Sequence, residues 1–467
     1  MTESSDGPII IGDLADLRAL TSRREFLRAV AVGGAVVLSG AFLAACEDSS
    51  NTGGLTGPGT GATLTLDFSK GDTALLQYLF LVQQLEADFY SRVVANFASS
   101  DFKSADKLVL TDIANHETVH RDALAALLGA NGAFRISPSY GSLTFRVRAD
   151  TLAAARDMIE DLAVGAYNGV APYFTDPANF TLMAKLASVE ARHSAAIRDL
   201  ISPLTSTFAP SVFELALTPS DVATAVQPLI EEKLAFASAP AGFSILNTAS
   251  ASSSAPTDVL EALQTCLLVA LLQSDFYRRG LAASGLIPSA DVTVFTTTSS
   301  HETSHVSTLQ TLISSRGGIP RSAPTFDYTA KAGLPGFAFL PTQYATFTML
   351  AQALEDLGVR CWQGQLPTIR PDAAAFAAGL SMYSVQARHA SEVRRLRGKK
   401  GWVTGNNRDD LPDFMQAVYD GEDNTLQGSV NVLSLAAGVG GSTTATEAFD
   451  EPLSTTQTMA FLAVFLP

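Results

Sequence analysis

The sequence predicts an all-α protein built as two tandem four-helix bundles. Three observations carry this: apolar residues recur at helical spacing over long segments, period-2 runs are rare, and short motifs occur twice in the same order.

The 467-residue chain begins with Ser22-Arg23-Arg24-Glu25-Phe26-Leu27-Arg28, an uncharged apolar run from Ala29 to Ala45, and Cys46. This resembles a twin-arginine export signal joined to a lipoprotein cleavage box, Leu43-Ala44-Ala45-Cys46. The apolar run is shorter than the ~20 residues a transmembrane helix needs. The resemblance implies export by the twin-arginine route and lipidation at Cys46. It also implies a membrane partner through that anchor, on the periplasmic or extracytoplasmic face of the cell envelope. Residues 1–46 are therefore a signal, and 47–62, rich in Ser, Thr and Gly, a flexible spacer.

Helices are expected near 73–97, 105–129, 150–171 and 178–201, and again near 257–284, 289–315, 341–364 and 371–397. Ser104, Asp176 before Pro177, Ser289 and Pro371 mark starts. Within each group the second and third helices are separated by a long link, Ala130 to Ala149 and Arg316 to Leu340. At ~3.3 Å per residue such a link runs the ~30 Å length of a bundle, making those two helices parallel. The first unit spans 63–235 and ends in a docking segment, the linker 236–256 follows, and the second bundle spans 257–397. Residues 398–467 hold a Gly- and Asn-rich insertion, to which no chemistry is assigned, and a C-terminal docking segment.

The duplication is explicit. Asp88-Phe89-Tyr90 recurs as Asp275-Phe276-Tyr277, His116-Glu117-Thr118 as His301-Glu302-Thr303, and Glu160-Asp161-Leu162 as Glu355-Asp356-Leu357. Ala191-Arg192-His193 recurs as Ala387-Arg388-His389, and Phe213…Leu217-Thr218 as Phe449…Leu453-Ser454.

All six histidines lie in short paired motifs, His116-Glu117-x-x-His120 and Glu190-x-x-His193, then His301-Glu302-x-x-His305 and Gln386-x-x-His389. The first group offers Glu86, Glu117 with His120, Glu160, and Glu190 with His193, one set per helix. Four carboxylates offset the charge of two divalent ions, and Glu three residues before His places both on one helix face. This resembles the ferritin-like di-iron and di-manganese carboxylate proteins. More narrowly, Leu85-Glu86-Ala87-Asp88-Phe89-Tyr90, Glu160-Asp161 with Ala166-Tyr167, and Glu190-Ala191-Arg192-His193 look like the bacterial ferritin-like proteins related to desiccation-related proteins. The resemblance implies two ferritin-like four-helix bundles, each with a long crossover between helices two and three. It also implies a dinuclear iron or manganese centre bridged by Glu117 and Glu190, with Glu86 and His120 on one ion and Glu160 and His193 on the other. Tyr90 and Tyr167 fall at helical spacing from Glu86 and Glu160; they are either plain core or donors of hydrogen bonds and electrons, the candidate catalytic groups.

The second group departs from the pattern. Gln273 stands where Glu86 does and Gln386 where Glu190 does, leaving Glu302, His305, Glu355 and His389. Two carboxylates balance one divalent ion, so the second site is expected to be degenerate, with one metal or none. Both copies also spell His-Glu-x-x-His, the zinc metalloprotease signature, in which both His would bind zinc, but that reading leaves Glu86, Glu160, Glu190 and His193 without a purpose; with the di-metal set, His116 and His301 lie on the helix flank, either behind the ligands or exposed. Cys266 and Cys361 fall at the same end of the second bundle, either as a disulfide or as two buried thiols.

The net charge of −15 argues against nucleic acid as a partner. The expected function is an exported oxidoreductase or peroxide scavenger that reacts with oxygen or peroxide in stress protection. The alternative is a non-catalytic envelope or desiccation-stress protein stapled by metal.

Overall fold

A computed structural model describes residue 59, residues 61–240 and residues 255–466. The expected export signal with Cys46, most of the expected spacer 47–62 and most of the expected linker 236–256 lie outside the described residues.

The first bundle comprises α1 (Asp72–Ala95), α2 (Ser104–Gly132), a third helix in two parts, α3 (Arg148–Ala154) and α4 (Asp161–Val170), and α5 (Pro177–Ile201). A π-helical turn, Ala155–Glu160, joins the two parts. The second comprises α7 (Thr257–Ala282), α8 (Val292–Ser315), α9 (Tyr344–Ile369) and α10 (Ala373–Leu396), with the short α6 (Pro219–Val226) between the bundles. Asp176 caps α5 by accepting from the amides of Ala178 and Asn179. The other expected starts move by a few residues. Ser104 is the first helical residue rather than the cap, and Lys103 precedes it, its amide held by Asp106. Asp291 rather than Ser289 sits at the cap of α8. Pro371 lies before α10, which Asp372 caps through the Ala375 amide. At α2 and α10 a carboxylate that meets a free amide marks the start, whereas α8 begins after Asp291 without a side-chain cap.

Side-chain contacts fix the helix directions. In the second bundle Tyr277 reaches Glu355, while Cys266, earlier on α7, meets Cys361, later on α9, so these helices are antiparallel. Gln77 on α1 reaches the Gly132 carbonyl at the far end of α2, so α1 and α2 are antiparallel as well. Helices two and three are then parallel, as the long crossovers require. Cys266 and Cys361 are free, buried thiols. α7 is apolar and long enough to cross a membrane by composition alone, but most of it is buried in the bundle. A parallel pair, β1 (Thr63–Asp67) with β2 (Lys233–Ala237), joins the two ends of the first repeat.

The fourth helices bring the bundles together. α5 and α10 run side by side, with Phe180 against Phe376, the Tyr383 hydroxyl on the Ala184 carbonyl, and Ser391 on the Arg192 carbonyl. The contact obeys a pseudo-twofold: Arg192 pairs with Asp356 (3.1 Å) and Asp450 (2.9 Å), while Arg388 pairs with Asp161 (3.2 Å) and Glu214 (2.6 Å).

Each docking segment crosses to the other bundle before returning to its own third helix. The Leu217 amide donates to the Gly165 carbonyl and the Leu453 amide to that of Arg360. The return is close enough to require glycine: a β-carbon on Gly169 would lie 1.7 Å from the Leu217 carbonyl oxygen, and one on Gly364 1.9 Å from that of Leu453.

Candidate metal centre

Four helices deliver six ligand-type side chains to one level of the first bundle. Glu86 comes from α1, Glu117 and His120 from α2, Glu160 from the end of the π turn, and Glu190 and His193 from α5. All six are buried. His120 Nδ1 lies 3.0 Å from Glu190 and 3.3 Å from Glu117, and His193 Nδ1 lies 2.7 Å from the other Glu117 oxygen. The donors form overlapping groups whose atoms fall within 4.8 Å of one another: Glu117, His120 and Glu190; Glu117, Glu160 and His193; and Glu86, Glu160 and Glu190. The extra residue of a π turn shifts the side chains that follow it, and such turns concentrate at functional sites. In the second bundle α9 runs straight through Glu355 without one.

One oxygen on each of Glu86, Glu160 and Glu190 is buried without a hydrogen-bond partner, while Glu117 Oε1 and His193 Nδ1 face each other at 2.7 Å. Three bare carboxylate oxygens in one pocket would be costly unless something satisfies them. Oxygen and imidazole donors in this proportion suit a pair of iron or manganese ions. The residues therefore fit a di-metal site.

Charge is finely balanced here. Burial pushes the Glu86 carboxyl well above the usual range, reinforced by Glu190 and Glu117. Burial likewise raises Glu160, with Glu117 and Glu190 adding to it against the pull of His193. Burial acts to raise Glu117 too, but His120 and His193 outweigh it and hold this carboxylate at about 2. Desolvation opposes charge on His120 and His193, yet their carboxylate partners hold them up at about 9 and about 10. Cations taking these donors must displace several protons.

The second bundle assembles Glu302, Glu355 and His389 in the same way, with His389 Nδ1 3.1 Å from Glu302 and 3.5 Å from Glu355. His305 Nδ1 stays 3.5 Å from Glu302. The two amides turn away from ligation: Gln386 donates to Glu355, and Gln273 donates to the Leu354 carbonyl at 2.9 Å. One three-donor group remains, where the first bundle has three.

The Tyr90 hydroxyl donates to Glu160, and its counterpart Tyr277 donates to Glu355 at 2.6 Å, so this contact belongs to the architecture of both bundles. Tyr167, replaced by Trp362 in the second bundle, is buried with its hydroxyl unpartnered. Of the two expected placements, His116 and His301 take the one behind the ligands: His116 Nδ1 lies 2.9 Å from His193 Nε2 and His301 Nδ1 lies 3.0 Å from His389 Nε2, and both rings are buried. His116 Nε2 faces Glu447, so neither ring nitrogen converges with His120 on a common point, as the protease signature demands.

Gln83 was not singled out by sequence, yet its amide contacts Glu86 and donates to Glu190 at 2.7 Å. Its position one turn before Glu86, where the second repeat has Ala270, was an available signal. Trp402, Glu447 and Ala448 also reach the site from the insertion and the turn after it, and no local pattern marks them.

Helical bundles with long crossovers and a buried carboxylate–histidine cluster at one level define a ferritin-like protein. The family model described as a ferritin-like domain matches residues 71–203 and again 258–399, together more than half of the chain, and the chain belongs to that family. No curated protein and no solved structure matches it.

Proposed function

We propose that this chain is an exported, lipid-anchored ferritin-like protein whose first bundle binds a dinuclear iron or manganese centre, reacting with oxygen or peroxide in stress protection. The observation that supports it most is the convergence of six buried ligand-type side chains, with bare buried oxygens on Glu86, Glu160 and Glu190. Glu117, which groups with both His120 and His193, and Glu190, which groups with His120 and with Glu86 and Glu160, would be shared by both ions; Glu86 and His120 would complete one, Glu160 and His193 the other. Such ions, when bound, would supply electrons for the reduction of oxygen or peroxide.

The chain's own residues prepare the pocket. The Ala448 carbonyl, 2.6 Å from His120 Nε2, accepts a hydrogen bond from it and leaves Nδ1 facing the carboxylates. Tyr90 holds one Glu160 oxygen so that the other turns inward. Gln83 donates to two carboxylates and offsets part of their repulsion. Complete burial of the six groups keeps bulk water away. The second bundle, with two carboxylates, holds one ion or none. The chain's anchor to the cell envelope would be Cys46.

The test is metal analysis of the purified mature chain coupled to oxygen and peroxide consumption. Two ions per first bundle with turnover support the reading. Bound ions with no turnover would leave a structural metal instead, and a chain without stoichiometric metal would overturn the proposal.

A further inference from the structure

The insertion after α10 lies across the first bundle, where two of its contacts fix which imidazole nitrogens face the pocket. A carbonyl only accepts, so His120 Nε2, 2.6 Å from the Ala448 carbonyl, carries the hydrogen and Nδ1 points to Glu117 and Glu190. For His193 the chain is longer. Its Nδ1 faces Glu117, and its Nε2 lies 2.9 Å from His116 Nδ1; His116 Nε2 in turn lies 3.3 Å from Glu447 Oε2. An ionised carboxylate also only accepts. Glu447 therefore places the hydrogen of His116 on Nε2, which leaves His116 Nδ1 to accept from His193 Nε2.

Glu447 is itself buried and fixed. Thr404 donates to it, and Lys400 lies 2.9 Å away with its own side chain 40% exposed. Trp402 stands edge-on to both His116 and His193, at 5.0 and 5.5 Å between ring centroids, and Phe449 meets His120 at 5.6 Å.

The reciprocal contact on the second bundle is incomplete. The Val212 carbonyl lies 2.9 Å from His305 Nε2, matching Ala448, and Phe213 matches Phe449. But Ser211 stands where Glu447 does, and its hydroxyl turns back to the Phe213 carbonyl. Among the described residues no carboxylate bonds His301.

We propose that the second repeat completes the first repeat's centre. Glu447, acting through His116, and the Ala448 carbonyl are positioning groups that set His193 and His120 with Nδ1 toward the metals. This inference rests on the metal-centre reading above. It gives the insertion a role, and it explains why a repeat with a weakened site of its own is retained: it supplies the outer layer of the working one.

The experiment uses the full chain loaded with Mn(II), with affinity measured by chelator competition, the electron paramagnetic resonance spectrum of the bound ion, and melting of the metal-free protein. Glu447→Ser, which copies the first repeat's tail, weakens Mn(II) binding by 10–100-fold and alters the spectrum. Glu447→Gln, nearly the same shape and still an acceptor, weakens it less. Unchanged affinity and spectrum in both variants, with the unaltered chain binding Mn(II), would overturn this inference alone. A fall in metal-free melting with no change in affinity would also overturn it, by making Glu447 a packing residue. An unaltered chain that binds neither Mn(II) nor Fe(II) would overturn the metal-centre reading itself.

Discussion

The double substitution Glu86→Gln/Glu190→Gln gives the first bundle the two amides that the second carries at Gln273 and Gln386. It removes two of the four carboxylates available to the ions, so the site can balance one divalent charge rather than two. At position 86 the metal-free protein should hardly notice. Burial already holds Glu86 well above the usual carboxyl range, so an amide replaces a neutral group of the same shape there. In the second bundle such amides find partners, Gln386 on Glu355 and Gln273 on the Leu354 carbonyl. At position 190 the variant takes from His120 a carboxylate 3.0 Å away, a charge-assisted bond, and metal-free stability should fall by about 1.5–3 kcal/mol. With metal the difference is large. Free ion at ~100 times its Kd contributes about 2.7 kcal/mol per site, and about 2–4 °C per kcal/mol makes that roughly 5–11 °C in Tm for each ion lost. The assay is elemental stoichiometry beside thermal melting, with and without Mn(II) or Fe(II). A double variant that keeps both ions and the full metal-induced rise in Tm would refute the assignment of these carboxylates.

Other predictions concern pH, packing and the bundle interface. In the metal-free protein His120 is held up to about 9 from 6.5, so its contribution, about 3 kcal/mol at one unit per 1.36 kcal/mol, is complete below pH 6.5 and lost as pH rises through 9. Metal binding has the opposite sign, because the same proton must leave; the rise in Tm on adding metal should grow between pH 6 and pH 9, and a flat profile would contradict the ligand role of His120. Gly169→Ala and Gly364→Ala each drive a methyl into a carbonyl of the returning tail and should destabilise by about 3 kcal/mol or more in urea unfolding. Equal losses are expected at the two sites. Arg192→Ala leaves Asp450 buried without its arginine, while Asp356 keeps Arg394 and Tyr419, and should cost about 3 kcal/mol, whereas Arg278→Ala, at a pair whose arginine is 65% exposed, should cost under about 1 kcal/mol. Cys266 and Cys361, both buried thiols, should resist alkylation in the native chain and react after denaturation; a disulfide in mass mapping would contradict the structure.

The bundles were legible because each amphipathic helix carries its period in its own residues, and the duplication repeats the evidence. The six ligand-type residues were legible for the same reason: Glu-x-x-His on one helix face is a local pattern. What escaped was non-local. The bond between His120 and the Ala448 carbonyl spans 328 positions, and that between His116 and Glu447 spans 331. A backbone carbonyl has no residue signature, and Glu447 has Ser211 as its counterpart, so the duplication does not repeat its carboxylate. The helix starts at Asp291 and Asp372 were displaced because several acceptors lie within one turn, and only packing selects among them. The π turn at Ala155–Glu160 had no visible mark either, since it places Glu160 by one extra residue within an otherwise regular helix.

Anomalous diffraction from crystals of the full chain, recorded at the iron and manganese edges, tests the central claim most directly. The account predicts two peaks enclosed by Glu86, Glu117, His120, Glu160, Glu190 and His193, and no more than one beside Glu302, Glu355 and His389. Full occupancy beside the second set with none among the first six would contradict it.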